Sequence, residues 1–256
     1  MIEAVSNFHC RQPMLIVNAD DWGRSVEETD RALCCAQNGC VTSVTAMVFM
    51  QDSHRAAAIA KDKSLDAGLH LNLSQPFTGD VSDGRLIEGH RRIVRFLRRS
   101  KYALLIYNPF LRESFRRVYE AQASEFERLY GRPPSHIDGH QHMHLCSNML
   151  MDEIIPAGTK VRRSFTFFPG EKDFINRFYR RWVDGKLARR HRLTDYFFDL
   201  SQNLAPQKLA RVAHFACDAS VELMTHPVRQ AEYELLLSGV FRNLTENIQR
   251  TGYTSL

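Results

Sequence analysis

Apolar, β-branched runs alternate with helix-patterned segments along nearly the whole chain, and no other feature restricts its fold as much. The first run, residues 14–17, leads into Asn18, Ala19, Asp20, Asp21, Trp22 and Gly23, which reads as a buried strand stopping at two acids. Ser25 and Glu28 have the spacing of a capping box and Gly39 can close a helix, so residues 26–38 are predicted helical. Residues 42–49 follow as a strand, the alanine-rich 53–61 as a helix and 67–73 as a third strand. A longer helix over 113–130 places Phe115, Val118, Tyr119, Gln122, Phe126 and Leu129 largely on one face, and Gly131, Pro133 and Pro134 stop it. Further strands are predicted at 136–144, 160–168, 195–200 and 221–225.

Parallel strands need crossover connections, which helices provide, so this alternation implies parallel pairing. About seven such units fit an α/β, TIM-barrel-like (β/α) barrel better than an open sheet. The chemistry-bearing side chains also sit at or just past predicted strand ends, where barrels build their sites: Asp20 and Asp21, His70, the 136–144 run and His226. With 256 residues, 44% hydrophobic and 25% charged, the chain has material for a sizeable core, which excludes a disordered or fibrous class. One domain over 1–256 is expected, with residues 75–112 and 169–194 as helical insertions. No run approaches the roughly 18 apolar residues of a membrane-spanning helix. Residues 1–13 lack the apolar stretch of a secretory signal, which makes a cytoplasmic location the expectation.

The densest chemical signal is His136, Ile137, Asp138, Gly139, His140, Gln141, His142, Met143, His144. Alternate residues of an extended strand share a face, so four imidazoles and a carboxylate would point one way, a concentration that packing does not require. Spacing leaves the ligands open, since His140 with His142, or His142 with His144, could bind one ion. Asp20 and Asp21 can divide the remaining work, one ligating and the other accepting a proton. Taken alone, they read as a capped turn, and His70, alternating with apolar neighbours, reads as a satisfied core histidine. His226 ends the last apolar run and suits a proton donor near neutral pH.

In order along the chain, Leu15-Ile16-Val17-Asn18-Ala19-Asp20-Asp21-Trp22-Gly23, Gly39-Cys40-Val41-Thr42-Ser43-Val44-Thr45, Gly68-Leu69-His70-Leu71-Asn72-Leu73, Pro134-Ser135-His136-Ile137-Asp138-Gly139-His140-Gln141-His142-Met143-His144 and Glu222-Leu223-Met224-Thr225-His226-Pro227 resemble the YdjC-like carbohydrate deacetylases, the family that includes the chitooligosaccharide deacetylases. The resemblance implies a barrel related to the polysaccharide deacetylases and one divalent metal ion, magnesium or zinc, held by Asp21, His70 and His140. It implies Asp20 as catalytic base and His226 as general acid, with Asp138, His142 and His144 left as supporting or substrate-facing candidates. The implied reaction removes an N-acetyl group from an amino sugar or oligosaccharide. Trp22 stands where the family usually has phenylalanine, and the arginine-rich insertions differ from the family pattern.

Two alternatives share these residues. Two histidines and a carboxylate also suit an amidohydrolase-like enzyme or an Fe(II) enzyme of another reaction type. A non-catalytic protein could instead hold an acidic glycan, lipid or nucleic acid on its basic insertions. The net charge of +5 is concentrated in Arg91, Arg92, Arg95, Arg98, Arg99 and Lys101, and in Arg177, Arg180, Arg181, Lys186, Arg189, Arg190 and Arg192. Both clusters read as solvated helix faces, so nucleic acid is not an expected partner. The expected partner is an N-acetylated sugar, with a lipid-linked or acidic one also considered; the apolar residues 102–110 read as core or lid packing. The six cysteines lack zinc-module spacing and read as reduced thiols, and a homodimer is the default oligomer.

Overall fold

The computed structural model describes residues 13–168 and 170–256. Six strands form one wholly parallel sheet: β1 Met14–Trp22, β2 Ser43–Ala46, β3 Ala67–Leu71, β4 Ile137–Gly139, β5 Tyr196–Asp199 and β6 Ser220–Thr225. Their spatial order is β4-β3-β2-β1-β6-β5. Nine helices accompany them among the described residues: α1 Val26–Gln37, α2 Ser53–Asp62, α3 Gly84–Arg98, α4 Arg112–Tyr130, α5 Ser147–Met151, α6 Phe174–Ala188, α7 Pro206–Ala216, α8 Gln230–Leu237 and α9 Gly239–Thr245. Residues 159–168 bridge the two edges of the sheet. Val161 pairs with Ile137 of β4, Lys160 pairs with Arg192 just before β5, and the Thr166 amide donates to the Phe197 carbonyl at 2.8 Å. The result is the curled (β/α)-barrel type of sheet, with every strand's carboxyl end on one side.

Local chemistry sets the element boundaries. The Ser25 hydroxyl accepts from the Glu28 amide at the start of α1, and Asp83 and Asp173 cap α3 and α6 in the same way. Gly131 ends α4 in the left-handed conformation, φ 69°, which glycine adopts without a Cβ penalty. All nine residues of β1 are buried, since the strand lies mid-sheet with helices around it. A Cβ at Gly68 would lie 2.4 Å from the His136 ring, so only glycine lets β3 approach the residue that leads into β4.

Three expectations are corrected. The first strand does not stop at the acids; it runs to Trp22, with an irregular register between Ala19 and Trp22 and Asp21 at φ 65°. The strand expected over 136–144 ends at Gly139. There the chain curls back, a Cβ on Gly139 would lie 3.0 Å from His144, and Gln141 and His142 take left-handed φ of 54° and 57°. His136, Asp138, His140, His142 and His144 therefore do not share a strand face. Residues 160–168 make isolated bridges rather than a regular strand. Within 102–110, read as core or lid packing, Ala103 is buried and Leu104 packs against the core, while Tyr102, Leu105, Ile106, Tyr107 and Phe110 are exposed. The arginines of α3 are solvated as expected. Cys34, Cys35, Cys40, Cys146 and Cys217 are free thiols; Cys10 and the reading of residues 1–12 lie outside the described residues. No described helix is long and apolar enough to cross a membrane.

Burial pushes the imidazoles of His90, His136 and His144 down to about 4. His90 stacks on Phe77, His136 on Tyr253, and His144 bonds the Arg162 carbonyl at 3.0 Å. Between pH 6.5 and 4 the unfolded chain takes up protons at these three sites that the folded chain refuses, so stability is lost as pH falls through that window. Thermal unfolding scans are expected to show a midpoint that drops between pH 7 and 4.5, by on the order of several kcal/mol in stability. A flat midpoint over that range would contradict the neutral, buried state of these rings.

Candidate metal centre and active site

The carboxyl ends of β1, β3, β4 and β6 bring together side chains far apart in sequence. Asp20 and Asp21 come from the irregular end of β1, His70 from β3, Asp138 from β4, His140 from the residue after β4, and His226 from just past β6. Asp20, Asp21, His70, His140, His142 and His226 line one cavity of about 380 Å³. His144 and His136 are buried elsewhere.

Asp21, His70 and His140 form the tightest potential ligand set, with one donor atom from each lying within 4.8 Å of the others. Asp21 Oδ1 is 2.9 Å from His140 Nδ1 and 3.3 Å from His70 Nε2, while its Oδ2 accepts from Arg24 at 3.0 Å. His70 Nδ1 donates to Asp138 Oδ1 at 2.7 Å, which fixes the ring and leaves the buried Nε2 with no hydrogen-bond partner among the described residues. A carboxylate behind a histidine in this way is how proteins orient metal-ligating imidazoles. Two imidazole nitrogens and one carboxylate, held by a second carboxylate and an arginine, fit a divalent cation. Burial raises the Asp21 carboxyl, but the hydrogen bond with His140 and the neighbouring His70 imidazole outweigh this and hold it well below the usual carboxylate range. Burial lowers His70, yet the charges of Asp138 and Asp20 lift it to about 10. Asp20, His70 and Asp138 form a second close set, but Arg162 already occupies both carboxylates, which makes them poor ligands.

Sequence reasoning missed Arg162. It is fully buried, and its guanidinium donates from Nη1 and Nη2 to both Asp20 oxygens at 2.7 Å and from Nε to Glu222 Oε1 at 2.7 Å, with Asp138 Oδ2 2.6 Å away. Burial opposes the charge on Arg162, but Asp138, Asp20 and Glu222 hold its pKa well above the ordinary arginine value. Burial raises Asp20, and Arg162 more than offsets this, so the carboxyl lies below its usual value. Asn18 and Thr45 also donate to Asp20 Oδ1, at 2.9 and 3.2 Å, leaving Oδ2 the less occupied oxygen. Glu222 lies against the Nε and Nη2 edge of Arg162, bonded by the Tyr253 hydroxyl, and burial raises it to about 7. An arginine inside the apolar 160–168 run was the available signal, masked by the neighbouring Arg163.

His226 owes its position to Glu232, a buried acid on α8 that accepts from the His226 amide at 2.7 Å and from Thr225 Oγ1 at 2.8 Å. Its Nδ1 has no partner among the described residues. His142 reaches the cavity from its left-handed backbone and packs edge-on against Phe165, ring centroids 4.4 Å apart.

Known proteins resemble this chain in sequence and in fold. A carbohydrate deacetylase of Mus musculus is 35% identical over 136 residues, 51% of this chain and 43% of that protein. A chitooligosaccharide deacetylase of Serratia marcescens is 34% identical over 137 residues, 52% of this chain and 51% of that one. The chain thus spans about half the length of the curated relatives it matches. Among solved structures, a protein of Enterococcus faecalis named for cellobiose-phosphate cleavage superposes with a TM-score of 0.68 at 18% identity, covering 95% of this chain and 98% of that one. A CE4 family pseudoenzyme from Bacillus anthracis gives 0.50 at 12% identity, covering 97% and 66%. These two likenesses concern the fold alone. The match to the YdjC-like protein family model runs over residues 14–247, from the first strand to beyond the last, and the chain therefore belongs to the YdjC-like family.

Proposed function

We propose that this protein is a metal-dependent carbohydrate deacetylase that removes an N-acetyl group from an amino sugar or oligosaccharide. The observation that carries the reading is the convergence of Asp21, His70 and His140 within ligand distance, in one cavity with Asp20 and His226. Bound there, a magnesium or zinc ion supplies Lewis-acid polarisation of the amide carbonyl. Asp20, held by Arg162 with Oδ2 toward further acceptance, takes the proton of the attacking water. His226, anchored through its backbone by Glu232, gives a proton to the departing amine. His142 and Phe165 form the apolar side of the cavity against which a sugar face can lie. The barrel and both insertions act as one domain, a reading supported by a single main core that runs from Leu15 to Ile248.

The test is acetate release from N-acetylated mono- and oligosaccharides, before and after chelation. Release that stops on chelation and returns with one divalent metal is the expected result; ferrous-dependent oxygen uptake without acetate would overturn the reading. Asp138→Asn probes the ligand set separately. It removes the charge behind His70 and is expected to weaken metal binding about 10- to 100-fold in a competition titration, whereas unchanged affinity would remove His70 from the ligand set.

A further inference from the structure

Of the twelve large apolar side chains exposed among the described residues, ten fall on three neighbouring segments. Five belong to residues 102–110, Met151 ends α5, and Phe174, Ile175, Phe178 and Trp182 lie on α6, 50% to 79% exposed. Scattered singly, such residues need no explanation, but gathered they mark an interaction surface. The short helix α5 ties the segments together. The Tyr107 hydroxyl donates to Asp152 Oδ1 at 2.9 Å, the Asn148 side-chain amide donates to the Asn108 carbonyl at 2.9 Å, and Arg190, just past α6, pairs with Glu153. Within α6, Val183 and Leu187 are buried, and at about 3.6 residues per turn Phe174, Phe178 and Trp182 fall largely on the opposite side. The helix is thus apolar toward the core and apolar again toward solvent.

The charge around these side chains has one sign. Residues 98–112 contain Arg98, Arg99, Lys101 and Arg112 and no acid. Arg98, Arg99 and Lys101, with Arg177, Arg181 and Arg189 of the second insertion, are exposed and have no carboxylate within ion-pair distance among the described residues. A second copy meeting this face across a two-fold axis would set these cations against their own kind. Nucleic acid would pair the cations and leave Leu105, Ile106 and Ile175 in water. An anionic bilayer satisfies both halves at once, since its headgroups neutralise arginine and lysine while aromatic and aliphatic side chains bury at the acyl boundary.

We infer that residues 98–110 and α6 form one docking face for an anionic lipid surface, on which the chain lies without spanning it. The Arg180 guanidinium of α6 is 5.8 Å from the centre of the Phe165 ring, and Phe165 lines the candidate catalytic cavity. A protein docked through α6 therefore carries that cavity close to the bilayer. The docking face stands on the two insertions and is independent of which group the cavity hydrolyses.

Sedimentation of the full chain with vesicles tests the face. Capture by mixed phosphatidylglycerol and phosphatidylcholine vesicles, and not by phosphatidylcholine alone, is expected. It should weaken roughly tenfold or more in Phe178→Asp/Trp182→Asp and in Phe110→Asp, and about fivefold for each charge removed in Arg177→Gln/Arg181→Gln, with circular dichroism reporting that each variant is folded. Trp22 is fully buried, so a blue shift of tryptophan emission on adding vesicles reports Trp182 entering the interface. Absence of capture, or capture by charge alone that is indifferent to the three aromatic substitutions, overturns the inference. A dimer in light scattering that dissociates in Phe178→Asp/Trp182→Asp, with no capture by vesicles, also overturns it and assigns the face to a second copy.

Discussion

Replacing Arg162 with methionine is expected to destabilise the protein by about 3–5 kcal/mol, the range for breaking a buried ion-pair network by removing one partner. Asp20, Asp138 and Glu222 are each no more than 4% exposed, and all three converge on this guanidinium. Methionine fills much of the space but leaves three buried acids with no cation between them. For a chain of this size that loss corresponds to a fall of roughly 10 °C in the unfolding midpoint, and it is a large share of the roughly 5–15 kcal/mol that holds a typical fold. The pH response gives a second signature. Acids left unpaired in the interior have folded-state pKa values raised above their unfolded values, so the folded variant binds protons more tightly than the unfolded one. The deficit relative to the wild type should therefore shrink as pH is lowered from 7 to 5. Arg162→Lys keeps the charge, but a single ammonium cannot span Asp20, Asp138 and Glu222, so it should recover only part of the loss. An unfolding midpoint within about 2 °C of the wild type for Arg162→Met would show that Asp20 and Asp138 are not held ionised by this residue.

Asp20→Asn is expected to reduce acetate release by about 10²- to 10⁴-fold, the usual contribution of a positioned general base. The effect should fall on kcat with KM little changed, because the amide keeps the shape of the carboxylate while losing its basicity. Metal content should stay at the wild-type stoichiometry, since Asp20 is paired to Arg162 and is not part of the Asp21, His70 and His140 set. The acid limb of the kcat/KM profile, produced by protonation of Asp20, should disappear with it. Loss of metal together with activity would instead make Asp20 a ligand, and unchanged kcat would remove it from the reaction. The two substitutions are linked, because Arg162 holds Asp20 in its charged form. Any Arg162→Met protein that remains folded should share the kcat defect of Asp20→Asn.

Much of the architecture was legible from local patterns. The boundaries of α1, the buried face of α4 and the strands β2, β3, β5 and β6 follow from apolar periodicity and from Ser25, Gly131 and their kind, which act within one or two turns of chain. The 136–144 run misled because alternation presumes that a strand continues. The left-handed turn at Gln141 and His142 depends on how tightly the chain folds back over Gly139, which periodicity does not encode. The same limit applied to 102–110, where apolar composition suggested packing and only Ala103 and Leu104 pack against the core.

By itself, the sequence determined an alternating α/β chain with chemistry at its strand ends, and its ordered motifs pointed to the family and to Asp21, His70 and His140. Those residues come from β1, β3 and the residue after β4, so their approach to within 4.8 Å was decided only by parallel register in three dimensions. Tertiary structure alone also decided the role of Arg162, whose partners are 24, 60 and 142 residues away along the chain, and the meeting of the α6 arginines with Phe165. The physical reason is range. Propensity, capping and periodicity act over a few residues, whereas an ion pair or a ligand set depends on distances between segments that only the packed barrel sets.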